Sequence, residues 1–331
     1  MINTLIIDDS ALSRDIIRDF LEEEGNFRII VEAVDGEDGI QKILSLNPDL
    51  VTLDIEMPRK NGLEVIEAVM KETYVPIVVI TNHDTAKTAY EATIKGALEF
   101  YPKNIFSDSL SPEKRREVYE TLKRISGIKA KKDNVIPKQE MFVLPKKRSV
   151  SALVIASSTG GPKALSTILS FLPGDFPVPI VIVQHNTSGF NKSFAQWLDS
   201  FTDLNVKLAE DGESIKPCTV FIAETDKHLE LRKNNEDLFL YYNNEAPENN
   251  QKPAADVLFR SAAESLKESV ISLVLTGMGS DGALGTKKIR EMGGITLAQN
   301  EESSLIYGMP KAAAETGCVD MVLPLDRIAG E

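Results

Sequence analysis

Apolar residues recur along this chain in two alternating rhythms. In the first third, short runs rich in β-branched residues (TLIID, RIIVEAV, DLVTLD, VPIVVIT and LEFYPK) alternate with longer stretches whose apolar positions return every three or four residues. The runs predict strands and the intervals amphipathic helices. Leu12, Ile16, Ile17, Phe20 and Leu21 form one such stripe, and Gly25 is placed to stop it. A further helix is expected from Pro112 to Ile125. Strands alternating with helices in this way predict a parallel sheet, helices on both faces, and polar groups gathered at the carboxyl edge.

The same alternation resumes at Ser151. SALVIA precedes PKALSTILSFL, PIVIVQH precedes FNKSFAQWLDSF, and VISLVLTG precedes a helix from about Asp281 to Met292. GITLAQ and CVDMVLPL predict strands, SLIYGMPKAAAETG a helix between them, and HLELRKNNEDLFLYYNNE an irregular polar hairpin. The fold class expected is therefore α/β, as two doubly wound parallel-sheet domains, a flavodoxin-like one over 1–125 and a Rossmann-like one over 150–331. Between them, 126–149 mixes glycine, two prolines and many lysines without a period, and reads as a linker with a positive patch at Lys129, Lys131 and Lys132.

Composition narrows the function. The chain has 331 residues, 42% hydrophobic and 26% charged, which is ordinary for globular domains and long enough for two of them. No apolar run reaches the roughly 18 residues of a membrane span, and the start MINTLIIDDS lacks the basic segment of a signal peptide, so a cytoplasmic place is expected. Cys218 and Cys318 are far apart without CxxC spacing, which predicts reduced thiols and argues against a zinc site. A net charge of −13 without a basic recognition helix excludes a DNA-binding regulator.

The residues that carry chemistry stand where strands end. Asp8, Asp9 and Asp54 would gather three carboxylates, which repel one another unless a divalent cation or a lysine ammonium compensates them. Hard oxygen ligands of this kind suit Mg²⁺, and Lys103 and Thr81 are placed to hold other oxygens of a phosphoryl group on Asp54.

In SALVIASSTGGPKAL, Ser157 and Ser158 end a strand before a Thr159-Gly160-Gly161 turn and a helix opened by Pro162. A nucleophile, an anion cradle and a plain tight turn all fit this stretch alone, and chemistry does not choose between the serines. Of three histidines, His83 belongs to the first half, His228 lies near the polar hairpin, and His185 directly ends PIVIVQ. Asp281 closes VLTGMGSDGALG, whose Gly277, Gly279 and Gly282 permit close backbone approach. Ser158, His185 and Asp281 would thus each stand just past the end of a separate parallel strand, the set that a nucleophile, a base and an orienting acid require, with Ser157 still an alternative nucleophile and the Met278 N–H a candidate oxyanion donor.

Residues 1–125 resemble the receiver domain of two-component response regulators at Asp8-Asp9, Asp54 with Met57-Pro58 and Gly62, Thr81 and Lys103. The resemblance implies that a histidine kinase phosphorylates Asp54, that Asp8, Asp9 and Asp54 bind Mg²⁺, and that Thr81, Lys103 and the aromatic Phe100 respond. Asn104 stands where the lysine is normally followed by proline.

Residues 150–331 resemble the chemotaxis protein-glutamate methylesterase (CheB) catalytic domain at Ser158-Thr159-Gly160-Gly161, Gln184-His185, Thr276-Gly277-Met278-Gly279 and Asp281-Gly282. The likeness continues through Pro253, ADVLFRSAA and GGITLAQNEESSLIYGMPKAA to VDMVLPL. It implies a cofactor-free hydrolysis of glutamyl methyl esters on chemoreceptors, with deamidation of receptor glutamines as a related activity and recruitment to receptor clusters at the membrane. It further implies that Ser158, His185 and Asp281 form the triad, that Met278 and Thr159 serve the tetrahedral intermediate, and that Gly160, Gly161 and 253–263 shape the substrate groove. Asn186-Thr187 replace the usual Met-Pro after the histidine, and Ala223-Glu224-Thr225 the usual Ala-Pro-Gly.

Overall fold

The computed structural model describes residues 1–82, 86–107, 111–128, 149–235 and 237–331, which fall into two compact units on either side of 129–148. His83 and the linker lysines Lys129, Lys131 and Lys132 lie outside the described residues.

The first unit runs β1 (Ile2–Ile7), α1 (Ala11–Glu22), β2 (Phe27–Ala33), α2 (Gly36–Leu46), β3 (Leu50–Leu53), α3 (Gly62–Glu72), β4 (Ile77–Thr81), α4 (Ala86–Lys95), β5 (Glu99–Pro102) and α5 (Pro112–Ser126). Its parallel sheet has the order β2-β1-β3-β4-β5, the flavodoxin-like order, whose switch point lies between β1 and β3. The central strands β3 and β4 are buried at every position, whereas the edge strand β2 keeps an exposed Arg28. Ser10, Asp35 and Asn61 cap α1, α2 and α3 by accepting hydrogen bonds from first-turn N–H groups. Ile17, Phe20 and Leu21 are buried as the stripe predicts, whereas Leu12 is 70% exposed. Five residues before Ile17, it points about 140° away around the helix.

The second unit runs β6 (Ala152–Ser157), α6 (Gly161–Phe171), β7 (Ile180–Gln184), α7 (Asn191–Asp199), β8 (Asn205–Leu208), β9 (Glu213–Ser214), β10 (Thr219–Ile222), β11 (His228–Asn234) and β12 (Asp237–Asn243). It continues with α8 (Ala255–Leu266), β13 (Val270–Val274), α9 (Ala283–Glu291), β14 (Ile295–Gln299), α10 (Met309–Glu315), β15 (Met321–Leu323) and α11 (Leu325–Ile328). Seven parallel strands pair in the order β15-β14-β13-β6-β7-β10-β8, and β11, β12 and β9 form a separate antiparallel sheet. Strand order reverses between β6 and β13, which opens a crevice at their carboxyl ends.

Three local readings change. The helix expected over SLIYGMPKAAAETG is only α10, because Tyr307 bridges to Gly277 and Gly308 packs on the Gly277 carbonyl. The helix expected from Asp281 begins at Ala283, since the Asp281 side chain is committed to other backbone groups and Gly282 takes a left-handed φ of 87°. Strands β8 and β10 go beyond the sequence reading, and β9 turns the polar hairpin into a three-stranded sheet.

Candidate active site and phosphoacceptor site

In the first unit, the ends of β1, β3 and β5 bring together the residues expected there. Carboxylate oxygens of Asp8, Asp9 and Asp54 lie within 4.8 Å of one another, with Asp8 and Asp54 buried and Asp9 exposed. Lys103 Nζ lies 2.6 Å from Asp54 Oδ2 and 2.8 Å from Asp8 Oδ2. Burial raises the Asp8 carboxyl above the ordinary value, with Asp54 repulsion adding and the Lys103 bond opposing. Burial would lower the Lys103 ammonium, but its bonds to Asp54 and Asp8 outweigh that and raise it. An acid cluster of this kind fits a hard divalent cation, which Asp8, Asp9 and Asp54 would hold. When bound, such a cation would supply charge neutralisation for a phosphoryl group beside them. Thr81 is buried at the end of β4, and the buried Phe100 ring meets Tyr90 edge-on at 4.7 Å. After Lys103, Asn104 enters a 3₁₀ turn in which its carbonyl accepts the Ser107 N–H.

In the second unit, strand register aligns Ser157 with Gln184, so Ser158 and His185 follow one another across adjacent strands about 4.8 Å apart. The two serines are not equivalent. Ser157 is fully buried and donates to Gln184 Oε1 at 2.7 Å, whereas Ser158 is partly exposed and its hydroxyl has no hydrogen-bond partner among the described residues. Gln184 also donates to the carbonyls of Ser158 (3.0 Å) and His185 (2.9 Å), and thus ties the two strand ends together.

His185 Nε2 lies 2.9 Å from Asp281 Oδ2, with both side chains buried. An ionised carboxylate only accepts, so Nε2 carries the proton in this bond, and in the neutral imidazole Nδ1 keeps its lone pair. Nδ1 is buried without a partner among the described residues. Asp281 is itself fixed: its Oδ2 accepts the Ala255 N–H at 2.6 Å, and its Oδ1 accepts those of Asp256 and Gly282, each at 3.0 Å. Burial would raise the Asp281 carboxyl, but the His185 bond and charge, with the α8 N–H groups, outweigh it and hold the group below the ordinary carboxylate value.

The glycine-rich loop closes on the serine. A Cβ at Gly277 would come within 2.7 Å of Ser158 Cβ, and Ser158 N–H donates to the Thr276 carbonyl. Met278 follows in that loop, and Gly279 at φ 89° turns the chain behind it. The Thr159 carbonyl accepts from Thr276 Oγ1 at 3.0 Å, while the Thr159 N–H has no acceptor among the described residues. Gly160 holds a left-handed φ of 79° at the cap of α6. Gly161 is buried, and a Cβ there would overlap Gln184 Oε1, so close packing accounts for the glycine. At the departures, Asn186 Nδ2 is buried without a hydrogen-bond partner among the described residues, and Glu224 N–H donates to the Tyr242 hydroxyl at 2.9 Å.

Sequence reasoning left four supporting residues without a role. Gln184 and Gln299 are buried amides ending otherwise apolar strands, and Gln299 Oε1 accepts the Thr276 N–H at 2.8 Å. A lone polar residue at the end of PIVIVQ or GITLAQ was the available signal. Asn249 and Asp256 flank Asp281, and of these only the acid within apolar ADVLF stood out in the sequence.

Carboxylates gathered beside a lysine in one unit, and a histidine–carboxylate pair at the strand-end edge that also carries Ser158 in the other, fit a response regulator whose second domain is a hydrolase. Residues 153–331 match the CheB methylesterase family model, and 4–112 match that of the response regulator receiver domain. A Thermotoga maritima protein-glutamate methylesterase/protein-glutamine glutaminase is 37% identical over 99% of this chain and 96% of its own length. The protein of that description from Clostridium acetobutylicum is 38% identical over 100% of this chain and 96% of its own. The crystal structure of the Thermotoga maritima CheB methylesterase catalytic domain superposes with a TM-score of 0.54 at 45% identity, covering 55% of this chain and 97% of that one. The chain belongs to the CheB family of protein-glutamate methylesterases/protein-glutamine glutaminases. Among the described residues no helix is long and apolar enough to cross a membrane.

Proposed function

We propose that this chain hydrolyses glutamate γ-methyl esters on chemoreceptors by a Ser-His-Asp mechanism, serving chemotactic adaptation under control of Asp54 phosphorylation. The observation that carries the mechanism is the 2.9 Å His185–Asp281 pair, whose second imidazole nitrogen is left unpaired. Ser158 Oγ attacks the γ-carbonyl carbon while His185 Nδ1 takes its proton. The oxyanion meets the Thr159 and Met278 N–H groups. Collapse of the intermediate expels methanol, which leaves with the proton from His185. Water, deprotonated by His185, then attacks the acyl-serine and frees glutamate. A receptor glutamine passes through the same intermediate with ammonia as leaving group, which makes deamidation the related second activity.

For regulation, a chemotaxis histidine kinase donates the phosphoryl group to Asp54, with Mg²⁺ held by Asp8, Asp9 and Asp54. The unphosphorylated receiver restrains the hydrolase, and phosphorylation shifts the population toward an active form. The protein then works in the cytoplasm at receptor clusters.

The test is methanol release from methylated receptor membranes by wild type and Ser158→Ala, with and without a small phosphodonor and Mg²⁺. Wild type releases methanol, faster with phosphodonor, and Ser158→Ala does not. Release by Ser158→Ala at the wild-type rate would remove the nucleophile. A fragment lacking 1–125 should exceed the unphosphorylated full chain, and equal turnover by the two would remove the restraint.

A further inference from the structure

The Asp281 carboxylate is held by more than the imidazole and its neighbouring N–H groups. Glu248-Asn249-Asn250-Gln251 is a two-residue hairpin turn, in which Gln251 N–H donates to Glu248 O at 2.8 Å and Glu248 N–H to Gln251 O at 3.1 Å. Asn249 and Asn250 take φ of 54° and 60°, the left-handed conformation that asparagine tolerates and most side chains do not. Arg260 on α8 pins the turn with two bonds to the Glu248 carboxylate, at 2.5 and 2.6 Å. From this turn Asn249 Nδ2 donates to Asp281 Oδ1 at 3.2 Å and to Asp256 Oδ2 at 2.8 Å. Asp256 is fully buried, and its other oxygen accepts the Gly285 N–H at 2.6 Å. Two adjacent buried carboxylates repel unless a donor lies between them, and one amide group fills that place.

We infer that Asn249 is a positioning residue for the hydrolysis: its amide ties Asp281 to the buried Asp256 and so fixes the carboxylate that orients His185. The inference rests on the Ser-His-Asp reading of the site. Without the amide, Asp281 keeps its bonds to the Ala255, Asp256 and Gly282 N–H groups, so the fold survives. On its Oδ1 side, however, it faces Asp256 with no shared donor. The cost therefore falls on the orientation of the imidazole at the transition state more than on substrate binding, since the Asp256 backbone keeps its own bond to Asp281.

The experiment uses the full chain with methylated receptor membranes, phosphodonor and Mg²⁺. Asn249→Gly keeps the left-handed backbone and removes the amide, and Asn249→Asp keeps the side-chain shape without a donor. Both should lower kcat at least tenfold with KM within twofold of wild type. In both, the low-field imidazole N–H proton resonance of His185, read by NMR without substrate, should move. A kcat within twofold of wild type would overturn the inference, and so would a rise in KM with the resonance unmoved. Loss of native circular dichroism in both variants would assign Asn249 to folding and overturn it too. Ser158→Ala is run alongside: its retention of activity would sink the triad itself, whereas an inert Ser158→Ala beside a normal Asn249→Gly sinks only this inference.

Discussion

Ser157 Oγ donates to Gln184 Oε1 at 2.7 Å, and this bond commits Ser157 to the strand-end packing while the neighbouring Ser158 hydroxyl has no partner among the described residues. Ser157→Ala leaves a buried amide oxygen unpaired, which costs about 1–3 kcal/mol of stability. Ser158→Ala breaks no bond among the described residues. Denaturant melts should show the first variant destabilised and the second close to wild type, while methanol release shows the reverse. The expected loss in Ser158→Ala is at least about 10³-fold. Abolished turnover in Ser157→Ala at full stability would exchange the two assignments.

Gly161 tests the same corner from the other side. A Cβ there would overlap Gln184 Oε1 and come within 2.9 Å of Ser157 Cβ, and both neighbours are buried in fixed positions. Gly161→Ala should therefore cost on the order of 1–3 kcal/mol by overpacking. Because Gln184 also bonds the Ser158 and His185 carbonyls, turnover should fall with it. Gly212→Ala is the contrasting case: Gly212 takes a left-handed φ of 74°, which Gly161 does not, and nothing lies within 4 Å of its added Cβ, so its loss comes from backbone strain alone. Unchanged stability in Gly161→Ala would mean that Gln184 gives way to the added methyl group and that this contact does not require the glycine.

How much of this was legible beforehand depended on range. Apolar runs ending at Asp8, Asp54, Ser157 and Gln184 carried the parallel strands, because a strand buried on both faces has no polar positions to spare. Strands β8 and β10 escaped notice for the opposite reason. NVKL and TVFI are short and keep polar residues, since β8 is an edge strand and β10 lies next to it. The histidine–carboxylate pair could be placed because both residues follow strands of one sheet, His185 directly after β7 and Asp281 at the end of the glycine-rich loop after β13. Asn249 could not: its role depends on a left-handed turn and on the Arg260–Glu248 clamp, which join residues twelve apart through tertiary structure alone.

Asp256 gives the hydrolase unit a pH signature. Burial pushes its carboxyl up to about 6, with Asp281 and Glu248 repulsion adding and the Gly285 and Asn249 bonds opposing; Arg260 and Asp281 are the charged groups around it. A carboxyl whose folded value lies above its unfolded value binds more protons when folded, so its contribution to stability falls as pH rises. The loss begins near the unfolded value of 3.8 and is complete above about 6. Its size is on the order of 3 kcal/mol. Asp256→Asn removes this titration, so the stability of wild type relative to the variant should decline between about pH 4 and 6 and then level off. A constant difference across that window, measured by denaturant unfolding, would contradict the shift.

Lys103 and a divalent cation should be partly interchangeable. The ammonium lies 2.6 Å from Asp54 and 2.8 Å from Asp8, so in the absence of metal it is the charge that offsets their repulsion. Lys103→Ala leaves that repulsion uncompensated in a largely buried site and should destabilise the receiver unit by roughly 1–3 kcal/mol in the presence of chelator. A bound cation stabilises the folded state in proportion to its affinity, and affinity rises when the competing ammonium is gone. Added Mg²⁺ should therefore raise the melting temperature of Lys103→Ala more than that of wild type, recovering part of the loss. Asp54→Asn, which deletes the proposed ligand and phosphoacceptor together, should show a smaller Mg²⁺ response and no phosphoryl mass gain with a phosphodonor. Equal Mg²⁺ shifts in wild type, Lys103→Ala and Asp54→Asn would show that the cation binds elsewhere.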